Sequence, residues 1–300
     1  MDVVTGAFSF TGRYIAARLL ELGREVSTLT RHPQSASPFG DRVEAFPLDF
    51  GDPAALTERL RNVETLYNTY WIRSPRGNLT FERVLDNTNT LLGAARTAGV
   101  RRVVQLSVSN ATACSPLPYF RAKARADEAL ERSGLSYAIL RPTLVFARED
   151  VLVNNIAWLL RRLPLFVIPG SGSYTLQPVA VEDVAELAVE AGLGTERAVA
   201  DAAGPDILSF DELVRLVREA VGSRTAIVHG SPRLAFGLSR LLGRLLRDTL
   251  VTRAELVGLM QGLLTSQSPP TGTRRFGDWL QANGASLGTG YTSETCRNWS

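Results

Sequence analysis

Short apolar runs alternate with amphipathic stretches through the first half of the chain. The apolar run at Met1–Val4 precedes a stretch at Thr11–Leu22, whose Ile15, Leu19 and Leu22 share one helical face. Further strands are predicted at Glu25–Thr30, Val43–Leu48, Thr65–Trp71, Arg102–Val108 and Tyr137–Leu140. Helices are predicted between them at Pro53–Arg61, Phe81–Ala98 and Tyr119–Ser133. Repeated strand–helix units of this kind predict an α/β fold, a doubly wound parallel sheet of the Rossmann type.

The pattern changes after Pro142. The sequence predicts a hairpin at Leu165–Gln177 around a Gly-Ser-Gly-Ser turn, and helical spacing is frequent from Pro232 to Leu264. Further helices are predicted at Asn154–Leu163, Val181–Gly192 and Ser209–Val221. We therefore predict an NAD(P)-binding Rossmann domain at 1–145, to which residues 176–204 return. Residues 146–175 and 205–300 are expected to form a smaller, mostly helical substrate domain.

Composition excludes several classes of protein. The chain has 300 residues, of which 45% are hydrophobic and 21% charged, as in ordinary globular proteins. A net charge of +3 without a single-sign patch argues against a nucleic-acid partner. Cys114 and Cys296 match neither a disulfide framework nor a zinc spacing, so no metal site is predicted. Because no signal peptide is recognised, we expect a cytoplasmic protein.

A glycine-containing turn joins the first strand to the first helix, where a dinucleotide fingerprint is expected. Gly6 permits a tight turn, the amides of Phe8, Ser9 and Phe10 can face a pyrophosphate, and Gly12 allows close packing. Ser9 replaces the usual middle glycine, so its side chain crowds the pyrophosphate although its hydroxyl could donate to it. The alternative is a strand–helix turn that binds no ligand.

The end of the second strand bears on the choice of cofactor. Arg31 and His32 stand where NAD-binding proteins carry an acid, and Arg13 is a second cation able to reach the same place. Because arginine suits a 2′-phosphate, we expect NADP(H) to be preferred, with NAD(H) possible. Asp49 and Phe50 are candidates for holding the adenine. The alternatives are a solvated arginine at a strand end and an aspartate that only forms a turn.

Tyr119 and Lys123 stand four residues apart on a predicted helix, so their side chains share one face. Lys123 is the one lysine among 33 basic residues. With these motifs the chain resembles the extended or atypical branch of the short-chain dehydrogenase/reductase superfamily. The resemblance rests on Thr5–Gly12, Leu48-Asp49, Ser107, Tyr119/Lys123, Leu140–Pro142 and Pro178–Ala185. Within that branch it is most similar to the NADPH-binding accessory subunit family of respiratory complex I, through Phe146–Asp150, Asn154-Asn155 and Gln177–Val179.

The resemblance implies roles for these residues. Lys123 would lower the pKa of the Tyr119 phenol and donate to the nicotinamide ribose, while Tyr119 exchanges a proton with the substrate. Ser107 would bind the substrate oxygen, and Ser109 is the alternative candidate for this role. The predicted cofactor-binding residues are Gly6, Phe8, Ser9, Phe10, Thr11, Gly12, Arg13, Arg31, His32, Asp49, Phe50, Lys123 and Pro142. The alternative is an amphipathic helix that carries a tyrosine and a lysine by chance.

Three functions stay open from the sequence. The first is an oxidoreductase, or an epimerase or dehydratase, acting on a small-molecule substrate of unknown identity. The second is a non-catalytic NADPH-binding or redox-sensing subunit of a protein complex. The third is a peripheral membrane module that uses the basic amphipathic stretch Arg233–Arg247, which otherwise is a substrate-domain helix with solvated arginines. Trp71 either lines the nicotinamide side or fills the core.

Overall fold

The computed structural model describes residues 1–293. The strands are β1 (Asp2–Thr5), β2 (Val26–Thr30), β3 (Val43–Pro47), β4 (Thr65–Asn68), β5 (Arg102–Leu106), β6 (Tyr137–Pro142), β7 (Leu144–Phe146), β8 (Leu165–Pro169), β9 (Thr175–Leu176), β10 (Pro178–Ala180), β11 (Ala198–Ala202), β12 (Leu208–Ser209) and β13 (Ala226–Gly230). The helices are α1 (Phe10–Glu21), α2 (Pro53–Arg59), α3 (Phe81–Ala98), α4 (Pro118–Arg132), α5 (Val151–Arg162), α6 (Val181–Leu193), α7 (Phe210–Ala220), α8 (Pro232–Leu246), α9 (Arg253–Met260) and α10 (Phe276–Asn283), with a 3₁₀ turn at Gly40–Arg42.

Seven strands of the described chain form one parallel sheet, in the order β3-β2-β1-β4-β5-β6-β11. Val3 of β1 pairs with Ser27 on one side and Leu66 on the other. The order of strand addition reverses at β1, which creates the switch point at which open α/β sheets bind ligands. The predicted α/β fold with a Rossmann-type doubly wound sheet is therefore confirmed.

The first compact unit contains this sheet and comprises Met1–Pro142 and Val184–Ala202. Its core lies where α2, α3 and α4 cover the sheet, and it buries Val3, Leu66, Leu91, Val103 and Ile139 among others. A buried guanidinium ties the returning segment to the sheet. Arg102, at the start of β5, donates to the carbonyl oxygens of Ala191 at 2.6 Å and Glu196 at 2.7 Å. These bonds satisfy a charged group that would otherwise be costly to bury.

The second compact unit comprises Thr143–Asp183 and the described residues from Ala203 onward. Its core packs α5, α7 and α10 around the rings of Phe146 and Phe276, whose centroids are 5.1 Å apart. Asn154 and Asn155 bind the chain near its described end, because each amide donates to Thr292.

The predicted hairpin at Leu165–Gln177 is wrong. β8 pairs in parallel with β13, and β9 pairs antiparallel with β12. Gly170 and Gly172 both adopt positive φ, as a turn requires, but the two flanking strands have separate partners. The glycines therefore predict the position of the turn correctly, but they do not determine which strands β8 and β9 pair with. Within residues 1–293, no helix combines the length and apolarity needed to cross a membrane.

Candidate cofactor and catalytic site

The turn after β1 has the geometry of a nucleotide-binding turn. Gly6 adopts φ +66°, a left-handed conformation that favours glycine. A Cβ atom at Gly12 would overlap the Gly6 carbonyl oxygen, so the start of α1 can approach the turn this closely only with glycine there. The amide of Arg13 donates to Ser9 O at 3.0 Å, which makes Ser9 the N-cap of α1. The amides of the first helical turn therefore point toward the carboxyl edge of the sheet, where the helix dipole favours an anion.

Ser9 uses its hydroxyl within the turn. Its Oγ donates to the Gly6 carbonyl oxygen at 2.6 Å, and its amide donates to the same oxygen at 2.9 Å. The hydroxyl therefore stabilises the turn and makes no capping bond to α1. In this arrangement it offers its lone pairs, rather than its proton, to a neighbouring group.

The carboxyl ends of β2, β3 and β4 bring Arg31, Phe50 and Tyr70 near one another. The Phe50 and Tyr70 ring centroids are 4.9 Å apart, and the Tyr70 hydroxyl accepts from Asn87 at 2.8 Å. Burial raises the pKa of Tyr70, while the positive charge of Arg31 acts in the opposite direction. Arg31 and its neighbour His32 are both exposed at the end of β2.

Two other predicted cofactor residues make local contacts. The Asp49 carboxylate accepts from the Gly51 amide at 2.8 Å, as a turn-forming aspartate does. Arg13 lies beside Tyr14, with its guanidinium carbon 5.5 Å from the ring centroid. Their predicted contacts with a nucleotide stay predictions.

Lys123 is buried at the carboxyl end of β5. Its Nζ donates to the carbonyl oxygen of Leu106 at 2.6 Å and lies 4.3 Å from the centre of the Trp71 indole ring. Burial lowers the pKa of Lys123 to about 7, although the Asp127 carboxylate partly opposes this shift. Lys123 therefore changes its charge near neutral pH.

Asp127 was missed by sequence reasoning and is the centre of a buried polar cluster. It accepts from Ser107 Oγ at 2.8 Å and from Gln105 Nε2 at 3.0 Å, and Arg141 donates to it through Nε and Nη2 at 3.2 and 3.1 Å. Burial raises the pKa of Asp127, whereas these hydrogen bonds and the nearby cations lower it. Its position eight residues after Tyr119, on the face of α4 that carries Lys123, was a signal available in the sequence.

Tyr119 is half-buried and packs its ring among aromatic neighbours. Its ring centroid is 6.4 Å from that of Trp71, 6.1 Å from that of Phe81 and 5.6 Å from that of Phe120, all edge-on. The indole Nε1 of Trp71 is buried and has no hydrogen-bond partner among the described residues. Trp71 therefore contacts both members of the predicted tyrosine–lysine pair.

The structure gathers Ser107, Tyr119 and Lys123 around the carboxyl end of β5. Ser107 is buried and donates its proton to Asp127, so its hydroxyl does not donate to another group in this arrangement. Pro142 ends β6 and accepts the amide of Ser109 at 2.9 Å. Trp71, for which lining the nicotinamide side was one of two predicted alternatives, and Asp127, which was not predicted, also belong to this group of residues.

The sequence relatives of the chain include a respiratory-chain subunit and a reductase. The chain is 26% identical, over 229 residues, to NADH dehydrogenase [ubiquinone] 1 alpha subcomplex subunit 9, mitochondrial, of Arabidopsis thaliana. The match covers 73% of this chain and 57% of the relative, so the chain spans little more than half of that relative's length. It is also 28% identical to a (4-alkanoyl-5-oxo-2,5-dihydrofuran-3-yl)methyl phosphate reductase of Streptomyces griseus, with 74% of each chain covered.

A solved structure and a family model complete the comparison. The NADPH-dependent quinone oxidoreductase of Escherichia coli, complexed with NADPH, superposes with a TM-score of 0.76 at 22% identity, covering 94% of this chain and 99% of that one. This likeness shows the shared fold. A family model described as NAD(P)H-binding matches residues 6–157, just over half of the chain. The protein therefore belongs to this NAD(P)H-binding family.

Proposed function

We propose that the protein is an NADP(H)-dependent oxidoreductase of small carbonyl or alcohol substrates, with Tyr119 and Lys123 as its proton-transfer pair. An epimerase or dehydratase acting through transient oxidation would use the same groups. The placement of Lys123 carries the proposal. The one lysine of the chain is buried at the carboxyl end of β5, one helical turn from Tyr119, and is held there by Leu106 O.

The residues at the carboxyl edge of the sheet fit a pyridine dinucleotide. The left-handed Gly6 forms the turn, and Gly12 lets the start of α1 pack closely against it. The amides of Thr11 and Gly12, in the first turn of α1, would bind a pyrophosphate. Arg31, with Arg13 as a second cation, would bind a 2′-phosphate, because guanidinium groups match phosphate oxygens. The bound nicotinamide would supply or accept the hydride.

Side chains of the protein would transfer the proton that accompanies the hydride. As a carbonyl carbon receives a hydride, its oxygen takes up a proton from the Tyr119 phenol, and the reverse direction returns it. A charged Lys123 would favour the phenolate that remains. Asp127 supports that charge, since its carboxylate raises the pKa of Lys123 against the effect of burial. Ser107 donates to Asp127, which leaves its oxygen to accept a hydroxyl proton of an alcohol substrate.

Turnover of NADPH with a panel of quinones, aldehydes and ketones tests the proposal. Tyr119→Phe keeps the ring that packs on Trp71 and Phe81, so it should retain NADPH binding and lose turnover by at least about 100-fold. Tyr137→Phe, on β6, is the matched control and should keep its activity. Equal turnover by Tyr119→Phe and wild type would refute the catalytic role.

A second function is a non-catalytic NADPH-binding subunit of a larger protein complex. Two observations favour it. Trp71 covers Lys123, and the Arabidopsis relative is named as a subunit of NADH dehydrogenase. This alternative predicts NADPH binding without turnover for any substrate in the panel, and a stable partner recovered with the wild-type protein.

A further inference from the structure

One helix of the second unit exposes a row of leucines. Leu234, Leu238, Leu241 and Leu245 of α8 are 53%, 39%, 54% and 75% exposed. Their spacing of four, three and four residues places them on one face, within about 60° of each other at 100° per residue. We call these four residues the leucine stripe. A row of apolar side chains this exposed marks an interaction surface, because single exposed leucines are common but contiguous ones are not.

Arginines lie along one flank of the leucine stripe. Arg233, Arg240 and Arg244 are exposed and lie about 90–130° from the centre of the stripe around the helix axis. Arg247 follows at the C-cap. From residue 226 to residue 247 the sequence contains no aspartate or glutamate. The surface therefore complements a partner that is apolar in one layer and anionic in the adjacent one.

Helix α8 is capped at its start and packs by the face opposite the leucine stripe. Ser231 caps its start by accepting from the Leu234 amide at 3.2 Å, and Pro232 occupies its first turn. On the opposite face Gly243 is buried, and a Cβ atom there would contact the Asp248 carbonyl oxygen. The exposed leucines are thus a fixed feature of a capped helix that packs by its other side.

We propose that α8 binds the surface of a membrane that contains anionic lipids. The leucine stripe enters the boundary between headgroups and acyl chains, and the arginines bind lipid phosphates and carboxylates. A single convex helix with a leucine face and a cationic flank suits a lipid layer, which needs no matching groove. At 1.5 Å per residue, the 15-residue helix offers about 22 Å of contact along the surface.

Flotation of the full-length protein with vesicles tests this proposal. Wild type should bind vesicles of phosphatidylcholine with 30–40% phosphatidylserine, and bind several-fold less to phosphatidylcholine alone or at ~0.5 M salt. Leu241→Gln combined with Leu245→Gln should weaken binding by at least about tenfold. Arg244→Glu should weaken it by at least about fivefold.

Matched controls change the same residue types elsewhere. Leu22→Gln removes a leucine that is also about half exposed, and Arg125→Glu reverses an exposed arginine of α4. Both controls should bind vesicles as wild type does, and thermal unfolding should show that every variant is folded. Three results would overturn the proposal: no binding to anionic vesicles, binding that the leucine variants leave unchanged, or a dimer in light scattering that those variants dissociate. The last result would assign the leucine stripe to a second copy of the chain.

Discussion

The ammonium of Lys123 lies 4.3 Å from the centre of the Trp71 indole ring, within the range of a cation–π interaction. The same indole packs edge-on against Tyr119. A ligand that reaches Lys123 must therefore contact or displace Trp71, whose buried Nε1 lacks an acceptor among the described residues. Nucleotide binding at this site should therefore change the environment of the Trp71 indole ring.

Tryptophan fluorescence should report nucleotide binding through Trp71. We expect NADPH to quench the emission of the wild-type protein, and we expect Trp71→Phe to lose most of that quenching at saturating NADPH. Trp158→Phe is the control, since Trp158 lies on α5 of the second unit and contacts Tyr291. A Trp71→Phe protein that binds NADPH with the quenching of wild type would show that the nucleotide does not reach the indole.

Stability should rise with pH because of Lys123. Burial lowers its folded-state pKa to about 7, below the ordinary value of 10.5, so between these values the unfolded state binds more protons. The free energy of unfolding should therefore increase from pH 7 to pH 9.5, with a slope approaching ~1.4 kcal/mol per pH unit. Below pH 7 the full cost of burying the charge remains.

The variant Lys123→Met isolates this contribution. Methionine matches the length of the buried stem without a charge, so the variant should be more stable than wild type at pH 6 and should lose the slope. Urea unfolding at a series of pH values measures both effects. An unchanged slope in Lys123→Met would assign the pH dependence to another group.

Asp127 should matter for stability and for the charge of Lys123. Asp127→Asn leaves the Arg141 guanidinium without its carboxylate and weakens the bonds from Ser107 and Gln105, so we expect a loss of about 2–4 kcal/mol in the free energy of unfolding. Because the carboxylate raises the pKa of Lys123, the rise of stability with pH should begin at a lower pH in this variant.

Ser107→Ala is the matched comparison for Asp127→Asn. It removes one neutral donor from the cluster and keeps the carboxylate, so the expected loss is only about 1 kcal/mol. The start of the pH-dependent rise should stay where it is in wild type. If Asp127→Asn and Ser107→Ala shift the pH at which stability begins to rise by the same amount, the charge of Asp127 is not the cause of that shift.

Ser9 should limit how tightly the turn binds a pyrophosphate. Ser9→Gly restores the usual glycine, removes the Cβ atom and the bond from Oγ to Gly6 O, and should tighten NADPH binding by at least about fivefold. Its cost in stability should be a few tenths of a kcal/mol, since glycine is an acceptable N-cap. Ser9→Ala keeps the Cβ atom and should bind NADPH nearly as wild type does, which calorimetry can compare.

The regular elements of the fold could be predicted from the sequence because local signals agree with the packing. α3 spans Phe81–Ala98 as predicted, since Thr80 caps its start and Gly99 ends it in a left-handed conformation. β11 was not predicted as a strand, because Ala198–Val199 and Ala200 are exposed at the sheet edge and carry no buried alternation. The pairing of β8 with β13 depends on contacts that are remote in the sequence.

The candidate site could be predicted only in part for a similar reason. Spacing on one helix identified Tyr119 and Lys123, and the strand–turn–helix pattern identified Gly6 and Gly12. The role of Asp127 depends on side chains from β5 and β6 that converge on it, and the position of Trp71 depends on the path of the chain after β4. Such convergence of distant segments is a property of tertiary structure.

The most direct test of the nucleotide site is calorimetric titration of the full chain with NADPH and, in parallel, with NADH. We expect one site per chain, tighter binding of NADPH than of NADH, and a smaller difference between the two in Arg31→Ala. Lys123→Met should bind NADPH more weakly than wild type. The absence of binding heat with both nucleotides over a range of temperatures, together with no rise in melting temperature, would contradict the account.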